Sequence, residues 1–252
     1  MADIPAPLAD GQADDQPTAY RQTRFRRPPG STELLLIRHG ESEAMVPGRP
    51  FPLVDGHGDP ELAPEGRIQA EQVAERLVGH PIDAIYVSTL RRTQQTAAPL
   101  ATRLGIEPVV EPDIREVHLG EWEGELYRKH LAEGHPIALE LLKEQRWDVI
   151  PGAESAASIS SRVRRALERI VAAHPDQCVA IFSHGGIIGE VLAQVAQAGR
   201  PFAFLGAANA SISHVVSFNG RWILRRFNDT AHLAGDLDRE PDLDPVPADP
   251  GT

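Results

Sequence analysis

Residues 33–40 read ELLLIRHG, and residues 179–186 read VAIFSHGG. In each stretch a short, non-alternating apolar run stops abruptly at His-Gly, as a strand buried on both faces of a parallel sheet does. A third run, AIYVS at 84–88, leads into Ser88-x-Leu90-x-Arg92-x-x-x-Thr96. Helical spacing separates these runs. It covers Pro64 to Leu77 with Ile68, Val73 and Leu77 apolar, Leu90 to Leu104 with a Gly105 stop, Ser155 to Ala173, and about Gly186 to Ala198. PVV at 108–110 reads as a short strand, and 211–218 and 221–227 flank Asn219-Gly220 as a hairpin. Residues 123–146 are helical in pattern but broken by Gly134 and Pro136. This order predicts an α/β fold: a three-layer α/β/α sandwich with a mainly parallel central sheet and a small helical lid over 121–152. In such a sheet the site lies beyond the carboxyl ends of the strands, where both His-Gly pairs fall.

The bulk composition sets the organisation around that core. The chain has 252 residues, 25 Lys and Arg against 36 Asp and Glu, and a formal net charge of −11. A chain so acidic lacks the basic face that nucleic acid or an anionic membrane would require. Residues 1–30, rich in Pro, Ala, Asp and Gln with Arg21, Arg24, Arg26 and Arg27, are expected to be a flexible arm. Residues 31–234 form the single domain, and 235–252 an acidic flexible tail. The one cysteine, Cys178, lies in a strand and excludes an intramolecular disulfide and a cysteine zinc cage. Without an apolar leader or a membrane-length apolar run, a cytoplasmic protein is expected. The hairpin at 211–227 offers an edge strand, and with it a homodimer.

Within the domain, chemistry-bearing residues gather at strand ends. Glycine after His39 and after His184 lets backbone approach a ligand closely. Arg92 falls in the first turn of a helix, where a guanidinium and free N–H groups together hold an anion the size of phosphate. Glu116, in the glycine-rich IREVHLGEWEG, is a candidate proton donor to a leaving oxygen.

These residues resemble the histidine phosphatase superfamily, also called phosphoglycerate mutase-like, over about residues 33–228. The landmarks occur in family order: Arg38-His39-Gly40-Glu41-Ser42, Leu62-x-x-x-Gly66-x-x-Gln69-Ala70, and Ser88-x-Leu90-x-Arg92-x-x-x-Thr96-Ala97. Glu116-x-x-x-Gly120-x-Trp122-Glu123-Gly124, Ser183-His184-Gly185-Gly186 and Asn209 follow. The resemblance implies a phosphomonoester hydrolase acting on a small phosphorylated metabolite. His39 would form the phosphohistidine, while Arg38, Arg92, His184 and the Gly185 N–H bind phosphoryl oxygens. Glu116 would protonate the leaving alkoxide, and Ser42 and Asn209 would sit in the substrate pocket. It implies no cofactor and no metal. Met45 stands where many relatives carry Asn, which puts that substrate contact in doubt.

Three other functions make different demands on the sequence. A phosphoglycerate mutase would need a basic lid, yet residues 121–151 hold four bases (Arg128, Lys129, Lys143, Arg146) against seven acids. A non-catalytic phosphate-binding protein would be expected to lack His39 or Glu116, and both are present. A metallohydrolase would need ligand spacing such as HxH or HExxH, whereas His57, His118 and His232 show none.

Overall fold

Strand β1 (Thr32–Arg38) sends Leu34 and Leu36 into one core and Leu35 and Ile37 into another, all four side chains buried. Strand β6 (Cys178–Ser183) does the same with Val179 and Ile181 against Ala180 and Phe182. A strand apolar on both faces is stable only when covered on both, and this dictates the three layers. The computed structural model describes Gln22 and residues 24–124, 126–200 and 202–233. The tail expected at 235–252, and the expected arm up to residue 21, lie outside the described residues.

In chain order the other elements are β2 (Leu53–Val54), β3 (His57–Gly58), α1 (Pro64–Leu77), β4 (Ala84–Val87), α2 (Arg91–Leu104) and β5 (Val109–Val110). Then come α3 (Leu126–Ala132), α4 (Pro136–Glu144), α5 (Ala156–Ala173), α6 (Gly185–Ala196), β7 (Ile212–Phe218) and β8 (Arg221–Asp229). The main sheet runs β5-β4-β6-β1-β7-β8. The first four strands are parallel, and the β7–β8 hairpin adds two antiparallel strands, with β8 at the edge. Residues of α1 and α2 line one core, and residues of α5 and α6 line the other.

The helical lid is packed rather than loose. Trp122, Leu131, Ala138, Leu141, Trp147 and Ile150 are buried in the same core as α5 and α6. Gly134 takes φ +64° between α3 and α4, the turn that the break in helical pattern predicted. Residues 24–30, at the inner end of the expected arm, have defined contacts. Arg27 donates to the Asp176 carbonyl, the Gly30 N–H bonds the Asp176 carboxylate, and Phe25 lies 3.8 Å from the Arg225 guanidinium.

The glycine after His39 has a different reason from the one expected. A methyl on Gly40 would lie 2.5 Å from the Gly66 carbonyl oxygen, and one on Gly66 would lie 2.0 Å from the Glu41 carbonyl oxygen. Gly40 therefore admits α1, not a ligand. The paired glycines let the start of α1 press against the loop after β1, where Gln69 accepts from the Glu41 N–H at 2.8 Å. Gly66→Ala should cost about 1–3 kcal/mol, a typical overpacking penalty. In a domain of this size that lowers the melting midpoint by about 3–9 °C. A thermal melt within a degree or two of wild type would mean the loop gives way freely.

Candidate active site

Four elements converge on one cleft. His39 follows β1, Ser88 follows β4, and His184 follows β6 as the residue before α6; Arg92 lies in the first turn of α2. Glu116 comes from the loop after β5. The cleft has a volume of about 1380 Å³, and its walls include Arg38, His39, Arg92, Glu116, Gly185 and Asn209.

His39 is 5% exposed, and its Nδ1 lies 2.7 Å from the Gly40 carbonyl oxygen. A carbonyl only accepts, so Nδ1 carries the proton and Nε2 is left with a lone pair. The Arg92 Nε–H donates to that lone pair at 3.2 Å, and Arg92 Nη1 donates to the Gly58 carbonyl at 2.9 Å. Arg38 donates to the Ala207 carbonyl. Burial first, then the positive charges of Arg92 and Arg38, hold the His39 pKa well below the ordinary histidine value. Burial also brings Arg92 down to about 10, which leaves it protonated at neutral pH.

His184 is wholly buried and packs edge-on against His39, with ring centroids 5.1 Å apart. It stands behind the cleft wall that Gly185 forms. Its Nε2 lies 2.8 Å from Ser88 Oγ, itself 3.0 Å from Thr93 Oγ1, while its Nδ1 has no protein partner. Burial, then Arg92, holds its pKa well below the usual value.

Glu116 Oε1 accepts from the Val117 N–H at 2.9 Å, and Oε2 from the Gly186 N–H at 3.4 Å. Burial outweighs these bonds and the nearby arginines, and raises its pKa above the ordinary carboxylate value. The glycine this packing demands is Gly186. A methyl there would come within 2.7 Å of Glu116 Oε1, whereas one on Gly185 meets only Arg38 at an ordinary 3.5 Å.

The remaining expected residues support the loops around the pocket. The Asn209 side chain lines the cleft and donates to the His39 carbonyl at 3.0 Å. Ser42 Oγ is buried and accepts from Arg128 Nη2 at 2.6 Å. Met45 lies on the cleft wall. His57, which shows no ligand spacing in the sequence, is 3% exposed and lines the cleft, its ring 5.1 Å from His118. Among the described residues no group of three or more His, Cys, Asp or Glu could hold a metal ion.

Sequence reading passed over two residues. Arg128, weighed only as a lid charge, reaches from α3 to Ser42 and to the Glu43 carbonyl and lies 5.5 Å from the Phe51 ring. Its charge adds to the lowering of both His39 and Arg92. Arg162 is 5% exposed and makes a two-pronged ion pair with Glu154, at 2.8 and 2.9 Å. Its remaining N–H groups hold the carbonyls of Asp113, Arg115 and Glu116, so it fixes the loop that presents Glu116. The signal was present: Arg162 interrupts the apolar stripe Ile159, Val163, Ala166, Leu167 and Ile170 on α5.

The His39 assignment has a direct spectroscopic check. In ¹⁵N-labelled protein, the His39 ring should show a protonated Nδ1 and an unprotonated Nε2, and should remain neutral at pH 6.5. A His39 titration midpoint at or above 6.5, or the opposite tautomer, would contradict the arrangement.

With this geometry established, comparison with known proteins places the chain. The sequence model of the histidine phosphatase superfamily, branch 1, matches residues 34–230. A metal-independent phosphoserine phosphatase of Arabidopsis thaliana is 34% identical over 223 residues, covering 86% of this chain and 90% of that protein. The solved structure of a mycobacterial glucosyl-3-phosphoglycerate phosphatase is 30% identical with a TM-score of 0.68, covering 79% of this chain and 100% of that one. A phosphoserine phosphatase mutant from Entamoeba histolytica, solved with phosphoserine, is 28% identical with a TM-score of 0.67, covering 80% of this chain and 99% of that one. The strand-end histidines, the two arginines and the order of motifs thus agree with a match along most of the chain, which belongs to the histidine phosphatase superfamily.

Proposed function

We propose that the protein hydrolyses small phosphomonoesters through a phosphohistidine at His39. The observation that carries this reading is the Nδ1-protonated His39, whose Nε2 lone pair faces the Arg92 guanidinium on the same cleft as a buried Glu116 whose pKa burial raises. Nε2 attacks phosphorus as the P–O bond to the alcohol breaks, and Glu116 gives its proton to the departing oxygen. Water then attacks phosphorus, the P–N bond breaks, and Glu116 takes a proton from that water. Inorganic phosphate and the free alcohol are the products.

Arg38, Arg92 and the Gly185 N–H are assigned to the phosphoryl oxygens, where fixed donors neutralise charge without reorganising. His184 joins them when Ser88, which accepts from the Leu90 N–H, donates to Nε2, because Nδ1 then carries the proton; Thr93 meanwhile donates to the Leu90 carbonyl at 2.8 Å. Asn209 and Ser42 act on this reading as positioning groups, for the His39 carbonyl and for Arg128 respectively. The phosphatase reading is supported over the mutase by the names of the relatives and by the acidic balance of the lid. At the sheet edge β8 is left as the strand for a homodimer, which would place two clefts in one particle.

The two titrating groups set an expected pH dependence. Glu116 must be protonated for alkyl esters, and that fraction falls as pH rises through its raised pKa. His39 must be neutral, which its lowered pKa secures well into the acid range. The ratio of kcat/KM for an alkyl ester to that for p-nitrophenyl phosphate should therefore be largest at the acid end and fall with rising pH. Because the aryl ester's second phosphate ionisation is more acidic than the alkyl ester's, each kcat/KM is first expressed per dianion, and the ratio then isolates the acid. Glu116→Gln should cut alkyl turnover by about 10²–10⁴-fold, spare the aryl ester, and flatten the ratio. Equal losses on both esters would remove the acid role.

Acid quench during turnover in EDTA should trap an acid-labile phosphoryl group on wild type and none on His39→Ala, which should be inactive. With 3-phosphoglycerate, released phosphate should account for all substrate consumed, with little 2-phosphoglycerate formed even when 2,3-bisphosphoglycerate is supplied. Fast isomerisation without phosphate release would make the protein a mutase.

A further inference from the structure

The proposed reaction puts the leaving oxygen beside Glu116, so the alcohol half of the substrate must occupy the part of the cleft adjoining that carboxyl. Its chemistry differs sharply from the His39 end. The point where Glu116 Oε1 lies 2.7 Å from a notional Gly186 methyl is also 3.1 Å from Val117 Cγ2 and 3.3 Å from the Trp147 indole. From there the wall continues through Tyr127, Leu142 and Phe202. Tyr127 and Phe202 rings stand 6.1 and 5.1 Å from that of Trp147. Such a wall welcomes apolar surface and penalises a bare charge, because a buried ion without a partner loses its hydration.

The cations available to a second anion, Arg128 and Lys129, come from α3, and Arg128 is directed onto the loop after β1 at Ser42 and Glu43. Polar atoms on this wall are the Tyr127 hydroxyl, the Trp147 N–H and the Gln145 amide. Gln145 caps α4 in the left-handed region, at φ +54°, and borders both the cleft and a small cavity behind Trp147 and Phe202. Its Oε1 is buried with no hydrogen-bond partner. A buried amide atom left unpaired is costly, and such atoms are nearly always satisfied. The atom is closed off as the side chain stands, so a ligand in the cleft reaches the amide when Gln145 turns about its own side-chain bonds; a hydroxyl, which both donates and accepts, then satisfies it in either orientation.

We propose that the alcohol half of the substrate is uncharged and largely apolar or aromatic, and carries one hydroxyl that bonds Gln145. This rests on the hydrolase reading above. The test compares four alkyl phosphates: 2-phenylethyl phosphate, its 4-hydroxyl analogue, phosphoserine and 3-phosphoglycerate. Each is measured twice, by phosphate release from wild type and by calorimetric affinity for His39→Ala, so that binding is read without turnover. Both arylethyl esters should exceed the two charged esters by at least about tenfold. The hydroxyl should add about a further tenfold, the worth of one well-made hydrogen bond. Gln145→Asn, which tolerates the left-handed backbone but withdraws the amide by one methylene, should bring that hydroxyl ratio close to one.

Phosphoserine or 3-phosphoglycerate matching the arylethyl esters in affinity would overturn the proposal. A hydroxyl without effect in wild type, or a ratio that survives Gln145→Asn, would do the same. Affinities in the expected order with no phosphate released from any ester would uphold the pocket assignment and refute the hydrolase reading instead.

Discussion

The hydrogen bond from His39 Nδ1 to the Gly40 carbonyl governs the rest of the site. It decides which nitrogen keeps its lone pair, and it places that nitrogen one residue past the end of β1. The carbonyl can play this part only because the loop is held from several sides. Thr96 Oγ1 accepts from the Gly40 N–H and donates to the Arg92 carbonyl, Asn209 holds the His39 carbonyl, and Gly66 presses from α1. The loop that aims the imidazole is thus tied to the turn of α2 that supplies the guanidinium facing it.

Most of the architecture could be read from apolar periodicity. Doubly buried strands leave unbroken hydrophobic runs, and Gly105 and the Asn219-Gly220 turn mark where backbone must take positive φ. Helix α6 begins at Gly185 rather than Gly186, because His184 supplies the extended residue before it. The pairing of the hairpin against β1, and the position of β8 at the edge, depend on tertiary packing that local pattern does not encode.

The placing of a residue on the cleft was legible where a strand end or the first turn of a helix fixes it, as for His39 and for Arg92 respectively. It was not legible where a long side chain crosses between elements. Arg128 spans from α3 to the loop after β1, and Glu123 accepts from both the Gly58 and Leu119 N–H groups. No spacing in the chain announces such bridges. Arg162 is the intermediate case. A guanidinium on an apolar stripe signals that a buried partner must exist, because removing one half of such a pair costs about 3–5 kcal/mol. Which partner, and that it also gathers three carbonyls of the Glu116 loop, required the fold.

On the proposed reading, the bond from Arg92 Nε to His39 Nε2 makes His39 a guarded nucleophile. The lone pair that would attack phosphorus is already occupied, and it is released only when something offers the guanidinium a better acceptor than a neutral imidazole. A doubly charged phosphoryl group does so; a neutral ester or a singly charged diester competes far less well. Under the proposed chemistry, admission to reaction is settled by the ionisation of the incoming group before any bond to phosphorus begins to form. On that chemistry the same side chain would serve as latch while the cleft is free and as clamp once the dianion arrives.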